Sequence, residues 1–298
     1  MNELGVKKHT LKLYLKTYWN DPGLAFWRAK EAELLSLATL AHPSLNLGCG
    51  PGFFTENLLS VMAFMKGKPI PAFCFGVEKE ILLCRQAAMK KHAYRQVVAA
   101  DISSLGFKDQ SFKLVLSNCV LEHVKNIDNC LFEVARIISH NGEFIFTVVT
   151  SHFGKDCFWP TIFRKFGLSR LESIWINKID KALVHYNKKD IQWWKESLKK
   201  YGFTVTEAIP YLNPAQLLTW NVLFSLARIK LYRYNLAGIM NFIKKSLGER
   251  GGNIFIDMVS KLAFFLIWPL YRNDKSGDGC ALLIVAKKNN DFKTLLNK

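Results

Sequence analysis

The sequence of 298 residues is poor in acidic side chains and has no close pair of cysteines. Asp and Glu number 24 against 41 Lys and Arg, which gives a net charge of +17. The seven cysteines are odd in number, and none forms a C-x-x-C pair. This pattern argues against a disulfide framework and against a zinc cluster. We therefore expect a protein of a reducing, cytoplasmic compartment with no metal site.

Long apolar runs are also missing. The longest uninterrupted run, residues 262–271, has ten residues, whereas a helix that spans a membrane needs about 20. The N-terminus has lysines among its apolar residues and lacks a small-residue cleavage site. The sequence alone therefore predicts neither a transmembrane helix nor a signal peptide.

The positive charge is unevenly distributed along the chain. Residues 1–150 have a net charge of +4, and residues 151–298 have a net charge of +13. Such an excess favours an anionic partner: a nucleic acid, an acidic lipid surface or a phosphorylated substrate.

Short apolar runs alternate with helical patterns after residue 43, which is typical of a parallel α/β sheet covered on both faces. Two helices over residues 8–40 precede this region, and Asp21 is the expected N-cap of the second helix. A loose aromatic and basic segment, 151–188, follows the region. Strands are expected at 44–47, 72–77, 96–100, 112–117, 143–150, 203–209 and 280–286, and a turn at 274–279.

Three of the expected strands end in residues that suit a nucleoside ligand. The first strand runs into Gly48, Gly50 and Gly52, which allow a tight turn and a close backbone approach to a ligand. The second strand ends at Glu78, which can accept hydrogen bonds from two ribose hydroxyls, and the third ends at Asp101, which can accept one from an adenine amino group. Ligands of open α/β sheets bind at this edge of the sheet.

With these motifs the sequence resembles the class I S-adenosylmethionine-dependent methyltransferases, specifically the methyltransferase type 11 group, which is similar to the quinone and sterol C-methyltransferases. The resemblance is close over about residues 43–150 and looser over 189–210 and 279–287. The matching segments are 45–52, 76–78, 99–102, 111–118, 120–124, 133–136 and 141–144.

The resemblance implies a Rossmann-like, doubly wound, mostly parallel sheet of seven strands with a reversed last strand. N-terminal helices would precede the sheet, and a helical insertion would precede the last strand. The implied cofactor is S-adenosyl-L-methionine. The residues implied to bind it are Asn46, Gly48, Cys49, Gly50, Glu78, Lys79, Asp101, Ile102 and Asn118.

Some positions depart from the family pattern. Asn46 stands where an acid is usual, Lys113 replaces an Asp, and His140 begins a turn that is commonly Pro-Gly-Gly. A nicotinamide-dependent oxidoreductase is the nearest alternative enzyme. Its G-x-G-x-x-G loop fits less well, because the third glycine, Gly52, arrives one residue early.

Methyl transfer requires alignment above all, although an oxygen or carbon acceptor can need a base. His123, just after the fourth strand, is one candidate for this role, and His185 with Tyr186 is another. The alternatives are that His123 only holds its loop and that the other two are ordinary surface residues. An Asn/Asp-Pro-Pro-Tyr motif is missing after the fourth strand, which favours oxygen or carbon over an amino group as acceptor.

We divide the chain into an N-terminal helical cap (1–42), a cofactor-binding core (43–150) and an acceptor or lid region (151–298). The last region contains two strands, at about 201–210 and 279–287, and a basic, apolar insertion, 215–272, with one helical face from Leu217 to Tyr234. This insertion contains eight basic and two acidic residues.

Such an insertion is typical of a contact with an anionic membrane surface. A lid over the pocket is the alternative, and a nucleic-acid face fits less well. The expected substrate is a small-molecule, lipid-like or lipid-linked saccharide acceptor. An RNA-directed methyltransferase and a non-catalytic membrane-bound scaffold remain the alternatives.

Overall fold

A computed structural model of the chain describes residues 2–231, 233–273 and 279–289. Its centre is a sheet of seven strands in the order β3-β2-β1-β4-β5-β9-β6. The strands are β1 Ser44–Leu47, β2 Phe73–Glu78, β3 Tyr94–Ala99, β4 Phe112–Asn118, β5 Ile138–Val149, β6 Phe203–Tyr211, β7 Lys230–Leu231, β8 Tyr234–Asn235 and β9 Ala281–Lys288. The last of these, β9, is antiparallel to both neighbours, and the other pairs in the sheet are parallel. The predicted sheet with a reversed last strand is confirmed.

Helices cover both faces of this sheet. They are α1 Glu3–Thr17, α2 Pro22–Leu35, α3 Phe53–Lys66, α4 Ile81–Ala88, α5 Ile127–Ile137, α6 Phe158–Lys165, α7 Ser169–Leu183, α8 Ile191–Lys200, α9 Pro214–Ala227, α10 Leu236–Ser246 and α11 Gly248–Tyr271, with a 3-10 turn at Leu121–His123. One apolar core lies under α1, α2 and α3, and the other lies under α5 and α8. Because both faces of the sheet are buried, the sequences of the parallel strands are continuous apolar runs.

The second N-terminal helix begins as the sequence predicts, whereas α1 begins at Glu3, before the predicted residue 8. The carboxylate of Asp21 accepts a hydrogen bond from the backbone N–H of Leu24 at 3.0 Å, and Pro22 occupies the first helical position. Because proline fixes φ at a helical value and needs no hydrogen-bond acceptor there, the turn at residues 20–23 starts α2 cleanly.

Several predictions for the second half of the chain need correction. The segment 151–188, expected to be loose, contains two helices, α6 and α7. The helical face predicted to run from Leu217 to Tyr234 ends at Ala227, after which β7 and β8 form a short hairpin. The turn predicted at 274–279 lies, except for residue 279, outside the described residues.

The expectation that the chain has no transmembrane helix rested on its uninterrupted apolar runs, and the structure adds one candidate helix. Helix α11 has 24 residues and is long and apolar enough to cross a membrane by length and composition. The sequence rule counted uninterrupted apolar residues, and Asp257, Ser260 and Lys261 interrupt the run without ending the helix.

One face of α11 packs on the N-terminal helices. The hydroxyl of Ser260 donates to the carbonyl oxygen of Leu15 at 3.2 Å, and the rings of Trp19 and Phe255 meet edge to face. Helix α9 packs equally closely on α2, since a Cβ on Gly23 would lie 2.6 Å from the backbone nitrogen of Phe224. The insertion and the N-terminal helices therefore form one layer.

Candidate active site

A cleft of about 780 Å³ opens at the carboxyl ends of the parallel strands. Gly48, Glu78 and Asp101 line it from the tips of β1, β2 and β3. The loop after β4 and Tyr186 close its other side. This volume is within the range of cofactor and ligand sites, about 300–1,000 Å³.

The glycine loop after β1 supplies the floor of the cleft. Gly48 and Gly50 have φ values of +65° and +54°, in the left-handed region that suits glycine. A Cβ on Gly48 would lie 2.5 Å from Cγ2 of Val120, whereas a Cβ on Gly50 would meet nothing within 4 Å. Gly48 therefore allows two loops to touch, and the open space beside Gly50 lets a ligand approach the backbone.

The carboxylate of Glu78 is fixed beside this loop. One oxygen accepts from the backbone N–H of Gly50 at 2.8 Å, and the other accepts from that of Glu80 at 3.0 Å. Each carboxylate oxygen has a second lone pair. Glu78 can therefore accept further hydrogen bonds from the hydroxyls of a bound nucleoside without losing its own support.

Asp101 lies at the neighbouring strand tip and is held ionised. Its Oδ2 is 2.8 Å from the ammonium of Lys79, and its Oδ1 accepts from both the backbone N–H and the hydroxyl of Ser103. Lys79, followed by Ser103, lowers the pKa of this carboxyl to about 2. Lys79, Asp101 and Ile102 all line the cleft, as expected for residues that face a nucleobase.

Other residues assigned to the cofactor from the sequence lie beside the cleft. The amide of Asn46 donates to Thr55 Oγ1 at 2.7 Å and to the hydroxyl of Tyr94 at 2.9 Å, away from the cleft lining. Asn118 donates to Glu31 at 2.9 Å. Cys49 is buried, and burial together with Glu78 raises the pKa of its thiol to about 12. These three residues support the loops around the cleft.

The structure brings together the three candidates for the reaction. The rings of His123 and His185 stack with their centroids 5.2 Å apart, although the two residues are distant in the chain. Nδ1 of His123 is 3.2 Å from the carbonyl oxygen of Val184, and the backbone N–H of Tyr186 donates to the carbonyl of Glu122 at 2.7 Å. Partial burial of the ring lowers the pKa of His123.

A second, smaller chamber of about 150 Å³ adjoins the cleft. Cys119 and His123 line both cavities. The chamber walls combine aromatic side chains of α2, α9 and the segment after β5 with the charged residues Arg28 and Glu122. The aromatic wall residues are Trp27, Phe153, Trp220 and Phe224.

A buried carboxylate, Glu31 of α2, anchors this chamber to the sheet. It is 0% exposed and accepts hydrogen bonds from several side chains. The donors are Trp27 (2.6 Å), Arg28 (2.7 Å), Asn118 (2.9 Å), Cys119 (2.7 Å) and Tyr211 (3.2 Å). These bonds tie α2 to the ends of β4 and β6, and they place Trp27 and Arg28 over the carboxyl edge of the sheet.

Sequence reasoning missed Trp27, Arg28, Glu31 and Glu122. Arg28 and Glu31 are spaced i, i+3 within the largely apolar helix α2. Such a charged pair is a weak indication that the two side chains are buried. Nothing in the sequence indicates that this helix crosses the sheet edge.

Comparison with known proteins agrees with this geometry. Residues 45–146 match the model of a methyltransferase domain family. A malonyl-[acyl-carrier protein] O-methyltransferase of Legionella pneumophila is 30% identical over 117 residues, which cover 38% of this chain and 37% of the relative. A sterol 4-C-methyltransferase of Caenorhabditis elegans is 28% identical over 127 residues, covering 42% of the chain and 36% of the relative. The chain thus spans under two fifths of the length of either relative.

Among solved structures, geranyl diphosphate C-methyltransferase of Streptomyces coelicolor superposes with a TM-score of 0.54 at 12% identity, covering 91% of this chain and 84% of that one. This likeness concerns the fold. The sheet order and the glycine loop are those of the class I methyltransferase fold, and the family match over residues 45–146 indicates S-adenosylmethionine as the cofactor. Residues 45–146, about a third of the chain, are thus similar to this family.

Proposed function

We propose that the chain transfers a methyl group from S-adenosylmethionine to an oxygen or carbon of a small, lipid-like acceptor. The observation that carries the proposal is the pair of cavities: a cleft of cofactor size meets an aromatic chamber at Cys119 and His123. Two cavities that share a wall can hold a cofactor and an acceptor in contact, and alignment supplies most of the rate gain for an already activated methyl group.

The residues of the cleft fit the cofactor. Glu78 would hold the ribose hydroxyls, Asp101 the adenine amino group, and the loop from Gly48 to Gly50 would lie against the rest of the molecule. When bound, S-adenosylmethionine supplies a methyl group on a positively charged sulfur. On the acceptor side, His123 and His185 of the chamber wall would position the acceptor, and Tyr186 would approach it from the cleft.

The walls of the chamber support an apolar acceptor. Trp27, Phe153, Trp220 and Phe224 offer ring faces. Arg28 is the one Lys or Arg side chain among the described wall residues, and it is paired with Glu31. The curated relatives described above are named for methylation of a malonyl group on an acyl carrier protein and of a sterol, which accords with an oxygen or carbon acceptor. We also propose that the N-terminal helices and the insertion together form the acceptor side of the enzyme.

Calorimetric titration with S-adenosylhomocysteine tests the cofactor site. We expect Glu78→Ala to weaken binding at least about tenfold, since a buried hydrogen-bonding carboxylate is lost. Glu207→Ala, which removes an exposed carboxylate on β6, is the control and should bind as the wild type does. Equal affinities of wild type and Glu78→Ala would contradict the assignment.

The acceptor class is tested with methyl-labelled cofactor and three cell fractions: membranes, soluble small molecules and RNA. Label in the lipid extract or the small-molecule fraction is the expected result. Label that appears in RNA alone would support an RNA-directed enzyme instead, and bound cofactor without any labelled product would support a non-catalytic scaffold.

We further propose that the insertion touches an anionic membrane surface. The face of α11 turned away from α1 exposes large apolar side chains at helical spacing, and exposed cations flank it. The apolar residues are Ile254, Met258, Leu262, Phe265, Leu266 and Leu270, and the cations are Lys244, Lys245, Arg250, Lys261 and Arg272. Apolar side chains beside cations suit the interface of an anionic bilayer, where each cation contributes about 1 kcal/mol.

Co-sedimentation with phosphatidylglycerol and phosphatidylcholine vesicles tests this contact. We expect binding to the anionic vesicles that weakens with salt, because salt screens the surface potential. Phe265→Glu should abolish it. Met89→Glu is the matched control, since Met89 is 78% and Phe265 77% exposed and Met89 lies in the cofactor-binding core. Wild type that stays in the supernatant at low salt would show that the insertion is a lid.

A further inference from the structure

The wall of the chamber contains a buried polar atom without a protein partner among the described residues. Glu122 is 1% exposed, and its Oε2 has no hydrogen-bond partner in the part of the chain that the structure describes. Its neighbour Glu31 is equally buried and accepts from the five donors named above. A buried carboxylate oxygen without a donor costs free energy, and this cost is typical of groups that meet a ligand.

The 3-10 turn fixes the position of Glu122. The carbonyl oxygen of Glu122 accepts from the backbone N–H groups of Tyr186 and Asn187, and the amide of Asn187 donates to the carbonyls of Leu121 and Val124. These hydrogen bonds hold the turn in place at both ends. The side chain is held in the chamber wall beside Cys119 and His123, where the two cavities meet.

The charges around Glu122 favour its neutral form. Arg28 is a nearby cation, and Glu31 already binds it at 2.7 Å. The other titratable groups around Glu122 and the chamber are Glu31, Cys119, His123, His185 and Tyr211. Burial first, and then Glu31, raise the pKa of Glu122 to about 7. A carboxyl group with such a pKa can exchange a proton at neutral pH.

The chamber is open on one side, and the space beside this oxygen is small. A volume of about 150 Å³ is that of a protein cavity that holds one benzene molecule. Aromatic walls suit a flat or puckered six-membered ring. A ring that carries a hydroxyl group would satisfy both the apolar walls and the unpaired oxygen.

We propose that the chamber binds a single hydroxyl-bearing ring and that Glu122 accepts the hydroxyl proton during methyl transfer. This inference rests on the proposed methyltransferase function. The O–H bond breaks and its proton moves to the carboxylate of Glu122. The hydroxyl oxygen on the ring forms a bond to the methyl carbon of the cofactor. The bond between that carbon and sulfur breaks, and its electron pair stays on sulfur. The products are a ring methyl ether and S-adenosylhomocysteine.

The test compares phenol with toluene, which has a similar ring without the hydroxyl, as ligands of the protein saturated with S-adenosylhomocysteine. At pH 8.5 we expect wild type to bind phenol at least about tenfold more tightly, because a hydrogen bond to a buried carboxylate is charge-assisted. This preference should shrink at pH 5.5, where Glu122 is protonated. Equal binding of the two rings at pH 8.5 would overturn the proposal.

Two variants assign the effect to Glu122. Glu122→Leu should bind the two rings alike, and Glu122→Gln, which keeps the shape and remains uncharged, should show a preference that does not change with pH. His123→Gln changes another residue of the chamber wall, so it should weaken the binding of both rings, but the preference for phenol should still change with pH. If the pH dependence disappears in His123→Gln and persists in Glu122→Gln, the proton acceptor is His123 and the proposal is wrong.

The first stage of each titration separates this inference from the proposed function. Affinity for S-adenosylhomocysteine is measured before the ring is added, and both Glu122 variants should keep it within about twofold. Loss of cofactor binding by the wild type would contradict the methyltransferase proposal itself. Normal cofactor binding without a preference for phenol would contradict only the role of Glu122.

Discussion

The side-chain amide of Asn46, on β1, donates to the hydroxyl of Tyr94, on β3, at 2.9 Å. Thr55 completes the group, since its Oγ1 accepts from Asn46 at 2.7 Å and from Tyr94 at 2.6 Å. All three residues are buried. Asn46 therefore uses its amide hydrogens inside the protein and has none to offer to a ligand in the cleft.

The first prediction concerns restoring the acid that the family usually has here. Asn46→Asp should destabilise the protein by several degrees in thermal unfolding at pH 8, because it replaces two donated hydrogen bonds with a buried charge. The affinity for S-adenosylhomocysteine should not improve. At pH 5 the loss should be smaller, since a buried aspartate takes up a proton more readily.

Asn46→Ser provides the control, because it removes the amide without adding a charge and its stability loss should not depend on pH. Differential scanning calorimetry and cofactor titration check the pair. If Asn46→Asp leaves stability unchanged and tightens cofactor binding, this position faces the cofactor and the prediction is wrong.

The second prediction is a graded series of glycine substitutions in and near the cleft. Gly48→Ala should be severe, since its Cβ would lie 2.5 Å from Val120 and φ is +65°. Gly50→Ala should cost about 1–2 kcal/mol, because its Cβ meets open space and only the left-handed backbone is strained. Gly106→Ala, at an exposed position with nothing within 4 Å and no positive φ, should be neutral.

Urea unfolding and calorimetry with S-adenosylhomocysteine measure both consequences. Gly48→Ala should lose cofactor affinity together with stability, because the glycine loop and the loop at Val120 both border the cleft. If Gly50→Ala proves more damaging to stability than Gly48→Ala, the contact between these two loops does not set the constraint.

The strand tips could be predicted from the sequence, and the acceptor chamber could not. Glu78 ends β2 and Asp101 follows the end of the neighbouring parallel strand β3 by two residues, and such ends meet at one edge by the geometry of the fold. The chamber requires Trp27 of α2, Phe153 after β5 and Trp220 of α9 to converge. Nothing local fixes that convergence, because it depends on how helices far apart in the chain pack together. The length of α11 was missed for a different reason, since polar residues interrupt its apolar run.

The third prediction concerns Glu31, which ties α2 to the sheet. Glu31→Gln should destabilise the protein by about 3 kcal/mol, because it leaves Arg28 without its charge partner. The amide NH2 group of the new glutamine would also face the side-chain donors that bind the carboxylate. Urea unfolding measures the loss. Glu207→Gln, which changes an exposed carboxylate, should stay within about 0.5 kcal/mol of wild type. A Glu31 variant as stable as this control would contradict the anchoring role.

The last prediction uses the titration of Glu122 to read its environment without any ligand. Its pKa is about 7 in the folded protein and about 4.5 in an unfolded chain. Between these values the unfolded chain gives up the proton more readily, so the free energy of unfolding of the wild type should fall as pH rises from about 4.5 to 7.

Glu122→Gln has no proton to lose there. Relative to wild type it should therefore gain about 2–3 kcal/mol between pH 5 and pH 8. Urea unfolding of both proteins at the two pH values measures this difference, in which the contributions of titrating groups that do not interact with Glu122 cancel. A difference between the two proteins that stays the same at pH 5 and pH 8 would mean that Glu122 ionises normally, and hence that its carboxyl group has a partner in solution.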